Sequence, residues 1–396
     1  MPASSTPPFS PADPLGIDDL LTAEDLAVRD TVRGWAADRV LPHIAGWYER
    51  GELPGVRELA RELGGMGALG MSLTGYGCAG ASAVQYGLAC LELEAADSGI
   101  RSLVSVQGSL AMYAIRRFGS EEQKRHWLPR MAAGEVIGCF GLTEPDHGSD
   151  PAGMRTYAKR DGSDWVLTGR KMWITNGSVA GVAVVWARTD EGIRGFVVPT
   201  DAPGFAAPEI TRKWSLRASV TSELVLDEVR LPGDAVLPEG AGLRGPLSCL
   251  THARYGIVWG AMGAARSSFE AALAYARTRE QFGKPIGGFQ LTQAKLADMA
   301  VELHKGVLLA HHLGTRMDAG TLRPEQVSFG KLNNVREAID ICRTARTILG
   351  ANGISLEYPV MRHATNLESV LTYEGTVEMH QLVLGKALTG LDAFRG

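Results

Sequence analysis

Three long segments in the C-terminal part of the chain repeat apolar residues every three or four positions. This spacing places the apolar side chains on one face of an α-helix, and each helix would be roughly 30 Å long or more. Because such faces pack against one another, the three segments and a final helix predict a four-helix bundle. The apolar positions are Val258, Ala261, Ala265, Phe269, Ala272 and Ala276 in the first segment, Leu296, Met299, Leu303, Val307, Ala310 and Leu313 in the second, and Leu332, Val335, Ile339, Cys342, Ala345 and Leu349 in the third.

Two regions of different character precede these segments. Residues 23–133 are rich in Ala and Leu and predict helices, one of which begins at the capping box Ser-Glu-Glu-Gln of residues 120–123. From about residue 138, short runs rich in Val, Ile, Trp and Thr alternate with Asp-Gly, Asn-Gly and Pro-Gly pairs, which predicts antiparallel strands. Residues 231–246 are dense in Gly and Pro and predict a linker.

The chain therefore predicts a mainly α protein with a β middle domain. We expect a disordered N-terminal segment (1–17), a helical domain (18–137), an antiparallel β-barrel or sandwich (138–245) and the helix bundle (246–396). The third segment of the bundle should start after Pro324 and end at Gly350, since proline suits a first helical turn and glycine a C-terminal cap.

Composition excludes several classes of function. The chain has 40 Lys and Arg against 44 Asp and Glu, so no broad basic surface is expected and nucleic acid is not an expected partner. The five cysteines are scattered without a C-x-x-C pair, which is typical of neither a disulfide framework nor a zinc site, and we expect no metal. Without an apolar run of about 20 residues or a signal peptide, we expect no membrane insertion and a cytoplasmic protein.

Four loop segments carry side chains suited to ligand binding, and each also has an ordinary structural interpretation. Residues 139–150 and 173–176 combine hydroxyls, an aromatic plane and turn residues, which suit either a flat ligand or plain strand connections. Residues 277–285 place cations and a ring at a helix end, which suits either a pyrophosphate or solvated charge. Glu374 lies in a break between helical segments, as either a catalytic base or a solvated carboxylate.

A polar stripe runs through an otherwise apolar helix. Its members recur at intervals of one to four residues and are Glu94, Asp97, Ser98, Arg101, Ser102, Ser105 and Ser109. The stripe predicts either a polar binding surface or a solvated helix face on which Asp97 pairs with Arg101 at a spacing of four.

Five motifs, taken in order, make the chain recognisable. They are Leu-Thr-Glu-Pro-Asp-His-Gly-Ser-Asp (142–150), Trp-Ile-Thr-Asn (173–176), Arg-x-Gln-Phe-Gly (279–283), Leu-Gly-Ala-Asn-Gly-Ile (349–354) and Tyr-Glu-Gly-Thr (373–376). With them the sequence resembles the acyl-CoA dehydrogenases, flavoproteins with the same order of helical domain, β domain and helix bundle. Residues 97–107 and 253–257 are similar to the branch of that family that oxidises and decarboxylates glutaryl-CoA.

The resemblance implies FAD as cofactor and a set of residues that hold it. Those expected to bind the flavin within one subunit are Phe140, Leu142, Thr143, Ser149, Trp173, Ile174, Thr175 and Thr376. Those expected at the cofactor of a neighbouring subunit are Arg279, Phe282, Gln290, Leu349 and Gly350. Sites shared in this way imply an oligomer, in this family usually a homotetramer, and the family's electron acceptor implies electron-transferring flavoprotein as a partner.

The resemblance also implies the catalytic and substrate residues. Glu374 would remove the α proton of the thioester, and position 253, where some relatives place this base, is alanine. Arg101 would pair with the distal carboxylate of glutaryl-CoA, helped by Ser102 and Ser105. The other expected substrate contacts are Glu94, Ser149, Leu250, Arg254, Tyr373, Gly375 and Phe394. The implied reaction yields crotonyl-CoA and CO2.

Three other functions remain open from the sequence. A dehydrogenase for a short or branched acyl-CoA, without decarboxylation, would use Arg101 only as the partner of Asp97. An oxidase that returns electrons to O2 would share most of the motifs. A degenerate relative would bind flavin or CoA as a scaffold. Gly108 and the residues 377–380 depart from the pattern of the glutaryl-CoA branch.

Overall fold

The computed structural model describes residues 10, 11 and 13–393. Residues 1–9 and 12 of the segment expected to be disordered (1–17) lie outside the described residues. The expected substrate contact Phe394 lies outside them as well. Within the described residues, no helix is both long enough and apolar enough to span a bilayer.

The first part of the chain is helical, as predicted. Its elements are α1 (Ala23–Arg39), α2 (Ile44–Arg50), α3 (Val56–Gly65), β1 (Thr74–Gly75), β2 (Cys78–Ala79), α4 (Ala83–Ala96), α5 (Ser98–Ser105), α6 (Tyr113–Phe118) and α7 (Glu121–Ala132). The predicted capping box is present, since Ser120 accepts a hydrogen bond from the main chain of Gln123 and the Gln123 side chain accepts one in return. Between α5 and α6 the helix widens to a π-helix over Val106–Met112.

The middle part forms one eight-stranded sheet with order β10-β7-β6-β4-β5-β9-β8, and β3 pairs with β6 beside this path. The strands are β3 (Gly138–Gly141), β4 (Tyr157–Asp161), β5 (Asp164–Thr175), β6 (Val182–Thr189), β7 (Gly192–Pro199), β8 (Phe205–Ala206), β9 (Thr221–Leu231) and β10 (Val236–Ala241).

Two details of the sheet differ from the sequence-based expectation. The pairings of β3 and of β4 with β6 are parallel, because neither strand is joined to β6 by a hairpin; the other pairings are antiparallel. The Gly- and Pro-rich segment expected to be a linker contains β10, which pairs with β7 at the sheet edge. Proline is tolerated there because an edge strand needs fewer main-chain donors.

The last part is helical, with α8 (Arg244–Thr278), β11 (Glu280–Gln281), β12 (Lys284–Pro285), α9 (Gln290–Asp318), α10 (Pro324–Leu349), α11 (Val360–Thr372) and α12 (Val377–Thr389). Helix α10 begins at Pro324 and ends before Gly350, as predicted. The predicted stripe of α8 is buried throughout. The expected final helix is two helices, α11 and α12, separated by the predicted break that contains Glu374.

The N-terminal helices and the bundle share one apolar core, which brings α4, α5, α8 and α10 together. Helix α4 is almost wholly buried, as expected for a helix at the centre of a fold, and its buried residues include Glu92 and Glu94. A hydrogen-bonded chain links it to α8: the Trp259 indole donates to the Tyr255 hydroxyl (2.9 Å), which donates to the Ala83 carbonyl (2.7 Å). The first turn of α4 is therefore held against α8.

Candidate active site

Glu374 occupies a tight turn between α11 and α12. Its φ is +55° and that of Gly375 is +100°, so both residues adopt left-handed backbone conformations that a helix cannot continue. A side chain at position 375 would press on the His380 ring, which explains why glycine is required there. The Oε2 atom of Glu374 is buried and has no hydrogen-bond partner among the described residues.

Three cations from three helices surround this carboxyl group: Arg101 of α5, Arg254 of α8 and Lys331 of α10. Burial raises the pKa of Glu374 above its usual range, and the three positive charges lower the pKa without cancelling the effect of burial. A carboxylate with a free oxygen and a raised pKa accepts a proton more readily than an ordinary carboxylate and can return it, which is what a general acid and base requires.

Arg101 forms a buried ion pair that the sequence did not predict. Its Nε donates to Glu94 Oε2 at 2.6 Å, and Arg101 is 1% exposed while Glu94 is 0% exposed. One Nη of Arg101 also donates to the Tyr373 hydroxyl, directly before Glu374. Both the solvated helix face and the Asp97–Arg101 pair are therefore wrong, because the stripe faces the protein interior.

Asp97 binds elsewhere and fixes the start of α5. It caps the helix by accepting from the Gly99 main chain (2.7 Å), and its Oδ2 accepts from Arg362 (2.7 Å) and Asn366 (3.0 Å) of α11. These bonds tie the helix that carries Arg101 to the helix that leads into the Glu374 turn. The two groups are thus held in a fixed relation to each other.

Gly260 of α8 makes room for the Glu94–Arg101 pair. A Cβ atom at this position would overlap Glu94 Oε2, and it would lie 3.3 Å from Arg101 Nε. The other oxygen of the Glu94 carboxylate, Oε1, accepts a hydrogen bond from the Ser98 hydroxyl at 2.8 Å. The glycine therefore lets α8 approach the pair closely enough to exclude water from it.

Ser102 and Ser105 lie on the same helix and are buried. Neither hydroxyl has a hydrogen-bond partner of standard geometry within the described part of the chain. Buried hydroxyls without partners are uncommon, and they indicate a site for a polar ligand. The structure thus brings Glu94, Arg101, Ser102, Tyr373 and Glu374 close together.

The two segments expected to hold the flavin ring lie side by side. The main chain of Met172 donates to the Thr143 carbonyl at 2.9 Å, which joins the end of β5 to the segment after β3. The β5–β9 register shifts between Lys171 and Ile174, and Trp173 there has a φ of +62° and a side chain that is 59% exposed. An indole held outward by a bulge, beside half-buried Thr143 and Thr175, fits a flat aromatic ring.

Three expected flavin contacts have side chains that point into the protein core. Phe140 and Leu142 belong to the core between the helical and β regions, and Ile174 belongs to the core of the sheet. Only their main chains remain to face a ligand. The segment is anchored by Glu144, which accepts from Lys171 Nζ at 2.9 Å and from the main chain of Thr156 at 2.9 Å.

The residues expected at a neighbouring subunit's cofactor lie at one end of the bundle. Arg279, Gln290 and Gly350 are exposed, Phe282 is 95% exposed at the tip of the β11–β12 hairpin, and Leu349 is buried. Within one chain these residues form a separate surface from the Glu374 turn.

The remaining expected contacts are dispersed around the turn. Arg254 Nε donates to the Glu374 carbonyl at 2.6 Å, and half-buried Leu250 lies one turn earlier on α8. Thr376 caps α12 by accepting from the Met379 main chain (3.4 Å), and Ser149 is exposed. In the described part of the chain, no group of three or more His, Cys, Asp and Glu side chains is placed to share a metal ion.

Lys331 is the site residue that the sequence reasoning missed. It is 2% exposed, and its Nζ donates to the carbonyls of Tyr373 (2.5 Å) and Gly375 (2.6 Å). Lys331 lies next to Leu332 and four residues before Val335, and both belong to the predicted apolar stripe of α10. Because residues four positions apart lie on the same helix face, this spacing indicates a buried lysine. A charge on a buried helix face is uncommon without a structural or functional partner.

Known proteins resemble this chain along almost its whole length. The acyl-CoA dehydrogenase N-terminal domain matches residues 22–135, the middle domain matches residues 139–229, and the C-terminal domain matches residues 240–389. The short-chain specific acyl-CoA dehydrogenase of Bos taurus mitochondria is 37% identical over 295 residues, which is 73% of this chain and 71% of that protein.

Two crystal structures of glutaryl-CoA dehydrogenase from Mycobacterium smegmatis are more similar still. One is 73% identical, covers 97% of this chain and 99% of its own, and superposes with a TM-score of 0.96. The other, solved in complex with FADH2, is 64% identical, covers 98% of this chain and 100% of its own, and has a TM-score of 0.96. With three matching domains in the expected order, the chain belongs to the acyl-CoA dehydrogenase family.

Proposed function

We propose that the protein is an FAD-dependent glutaryl-CoA dehydrogenase that also decarboxylates its substrate, yielding crotonyl-CoA and CO2. The observation that carries this proposal is the Oε2 atom of Glu374, which is buried and has no hydrogen-bond partner among the described residues. Arg101 lies next to the same turn, because it donates a hydrogen bond to the hydroxyl of Tyr373. The identity of 73% to a glutaryl-CoA dehydrogenase supports the choice of substrate.

Glu374 is the proposed base that takes the proton from the α carbon of the thioester. When bound, FAD supplies the acceptor for the hydride that leaves the β carbon. Both losses occur on one carbon–carbon bond, so the rate depends on holding that bond in place. The rigid turn of Glu374, hydrogen-bonded to Arg254 and Lys331, fixes the base side of this arrangement.

Arg101 is the proposed partner of the distal carboxylate of glutaryl-CoA. Glu94 and Tyr373 occupy its Nε and one Nη, and no hydrogen bond of the other Nη occurs within the described residues. A guanidinium donates in two directions at once, so the free edge can bind a second carboxylate. Ser102 and Ser105 supply two further hydroxyls that make no hydrogen bond of standard geometry with the described residues.

Decarboxylation follows from the position of the distal carboxylate in the oxidised product. Once the α,β double bond has formed, the bond from the γ carbon to the carboxylate can break, and its electron pair is delocalised onto the thioester as a dienolate. Glu374, which is now protonated, returns the proton to the γ carbon. Burial favours the protonated form and the surrounding cations favour the carboxylate, so the same group suits both steps.

The cofactor is proposed to lie between subunits of a homotetramer. Trp173, Thr143 and Thr175 would contact the ring, and Ser149 and Thr376 would contact its edge. Arg279, Phe282, Gln290, Leu349 and Gly350 would reach the cofactor of a neighbouring chain, which would explain the exposure of Phe282. We further propose the cytoplasm as its compartment and electron-transferring flavoprotein as the electron acceptor.

A second candidate is a dehydrogenase for a short acyl-CoA without a distal carboxylate. Because Glu94 already balances the charge of Arg101, an uncharged acyl chain would not face an uncompensated cation. The mitochondrial short-chain relative fits this candidate.

Turnover of glutaryl-CoA and butyryl-CoA by the purified holoenzyme, with electron-transferring flavoprotein as acceptor, separates the two candidates. The proposal expects a higher kcat/KM for glutaryl-CoA. A preference for butyryl-CoA would support the second candidate, and rapid turnover with O2 in place of the flavoprotein would instead indicate an oxidase.

A further inference from the structure

Lys331 is buried, yet the proposed reaction assigns it no step. It lies on α10 between the buried residues Gly330 and Asn334, and its hydrogen bonds in the described part of the chain go to main-chain carbonyls. Removing an ammonium group from water is costly unless strong acceptors replace the water. The carbonyls that replace it are those on either side of Glu374.

Three successive carbonyls of the Glu374 turn each accept a hydrogen bond from a cation, either buried Lys331 or half-buried Arg254. Lys331 Nζ binds those of Tyr373 (2.5 Å) and Gly375 (2.6 Å), and Arg254 Nε binds that of Glu374 (2.6 Å). A non-glycine residue at φ +55° is strained by roughly 1–3 kcal/mol and persists only where its surroundings hold it. Lys331 bridges the turn from both sides and so keeps it in the strained conformation.

We propose that Lys331 is a positioning residue for Glu374, which holds the turn of the base and favours its carboxylate form. This inference rests on the proposed role of Glu374 as the base. It extends that role because a residue on a different helix, α10, would control both the geometry of the base and its protonation.

The charged groups around Glu374 and Lys331 determine whether the pKa of Glu374 rises or falls when Lys331 is replaced. Glu374 faces Arg101 from α5, Arg254 from α8 and Lys331 from α10, and each lowers its pKa against the opposing effect of burial. Lys331 faces Glu374, Arg254 and Arg101, and it also lies near His380 of α12. Burial lowers the pKa of Lys331, and Glu374 opposes that shift. Removing the Lys331 charge must therefore raise the pKa of Glu374.

The test is Lys331→Met in the FAD-loaded enzyme, with two measurements. In anaerobic stopped-flow mixing with glutaryl-CoA, the pH at half-maximal flavin reduction should rise by about one unit or more, because a nearby opposite charge has been removed. In hydrogen exchange, the amides of residues 374–376 should exchange faster than in the unsubstituted protein.

Lys331→Gln separates the effect of the charge from the effect of the hydrogen bonds to the turn. It also replaces Lys331→Met as the test if that variant does not fold. Glutamine keeps two N–H donors without the charge, so the pH midpoint should shift while exchange at the turn changes less. Lys331→Arg restores a charge and should return the midpoint toward its original value.

Lys213→Met is a matched control. Lys213 Nζ also donates to two carbonyls, those of Leu216 (2.5 Å) and Ser219 (3.0 Å), and Leu216 has a φ of +50°. Lys213 is not among the charged groups that face Glu374 within the described residues. Its removal should speed exchange at its own turn and leave the pH midpoint unchanged.

An unchanged midpoint together with unchanged exchange at residues 374–376 in Lys331→Met would overturn the inference. If the unsubstituted enzyme reduced no flavin with any acyl-CoA, the proposed function would fail instead. The exchange measurement would still decide whether Lys331 holds the turn.

Discussion

Replacing Arg101 distinguishes substrate recognition from redox chemistry, and the structure determines how the replacement must be made. Arg101→Met alone would leave Glu94 buried, and among the described residues the Ser98 hydroxyl would be its one remaining hydrogen-bond partner. Removing one member of a buried ion pair typically destabilises a protein by about 3–5 kcal/mol. A loss of activity in the single variant could therefore reflect damage to the fold.

The double variant Glu94→Gln/Arg101→Met removes both charges and avoids this cost. For glutaryl-CoA we expect a loss near the lower end of the about 2–5 kcal/mol typical of a truncated buried charge pair, since the repulsion from Glu94 disappears as well. A loss of about 2 kcal/mol corresponds to a roughly 30-fold lower kcat/KM. Pentanoyl-CoA has the same chain length without the carboxylate, so its kcat/KM should change far less.

The assay is anaerobic flavin reduction with each thioester, accompanied by thermal melting of both variants. The double variant should melt closer to the unsubstituted protein than Arg101→Met does. Equal losses of kcat/KM for glutaryl-CoA and pentanoyl-CoA in a well-folded double variant would contradict the proposed binding of the distal carboxylate by Arg101. The Glu94–Arg101 pair would then be purely structural.

The site supports four further predictions. Glu374→Gln should keep its FAD and reduce it about 10²- to 10⁴-fold more slowly, and a rate near that of the unsubstituted enzyme would identify a different base. Because the carboxylate is the active form and burial raises its pKa, flavin reduction should fall as the pH is lowered through that raised pKa. Gly260→Ala should lower the melting temperature, since its Cβ overlaps the Glu94 carboxylate; an unchanged melting temperature would show that α8 can move away. Arg279→Ala should release FAD more readily on dilution, and equal retention would exclude a contact with the cofactor.

The helices and their ends were predictable because each depends on local sequence. The apolar stripe of α8, the capping box at Ser120 and the limits of α10 at Pro324 and Gly350 all follow from residues within a few positions. Strand direction was less predictable. The parallel pairing of β3 with β6 joins residues more than forty positions apart, and nothing in either strand specifies that partner.

The polar stripe at the candidate site was predictable from the sequence, but its ionic contacts were not. The polar stripe of α4 and α5 identified Glu94 and Arg101, yet helical spacing favoured Asp97 as the partner of Arg101. The structure instead pairs Asp97 with Arg362, some 265 positions away. Such partners are chosen by tertiary packing, which a periodic pattern cannot encode. For Lys331 the pattern of α10 indicates burial, but it does not indicate the carbonyls of Tyr373 and Gly375 as its partners.

Anaerobic mixing of the FAD-loaded enzyme with glutaryl-CoA labelled at the distal carboxyl group distinguishes oxidation with decarboxylation from oxidation alone. We expect the flavin absorbance to bleach and labelled CO2 to be released in an amount equal to the flavin reduced. Bleaching without CO2 would contradict the decarboxylation, and bleaching by butyryl-CoA with none by glutaryl-CoA would contradict the proposed substrate.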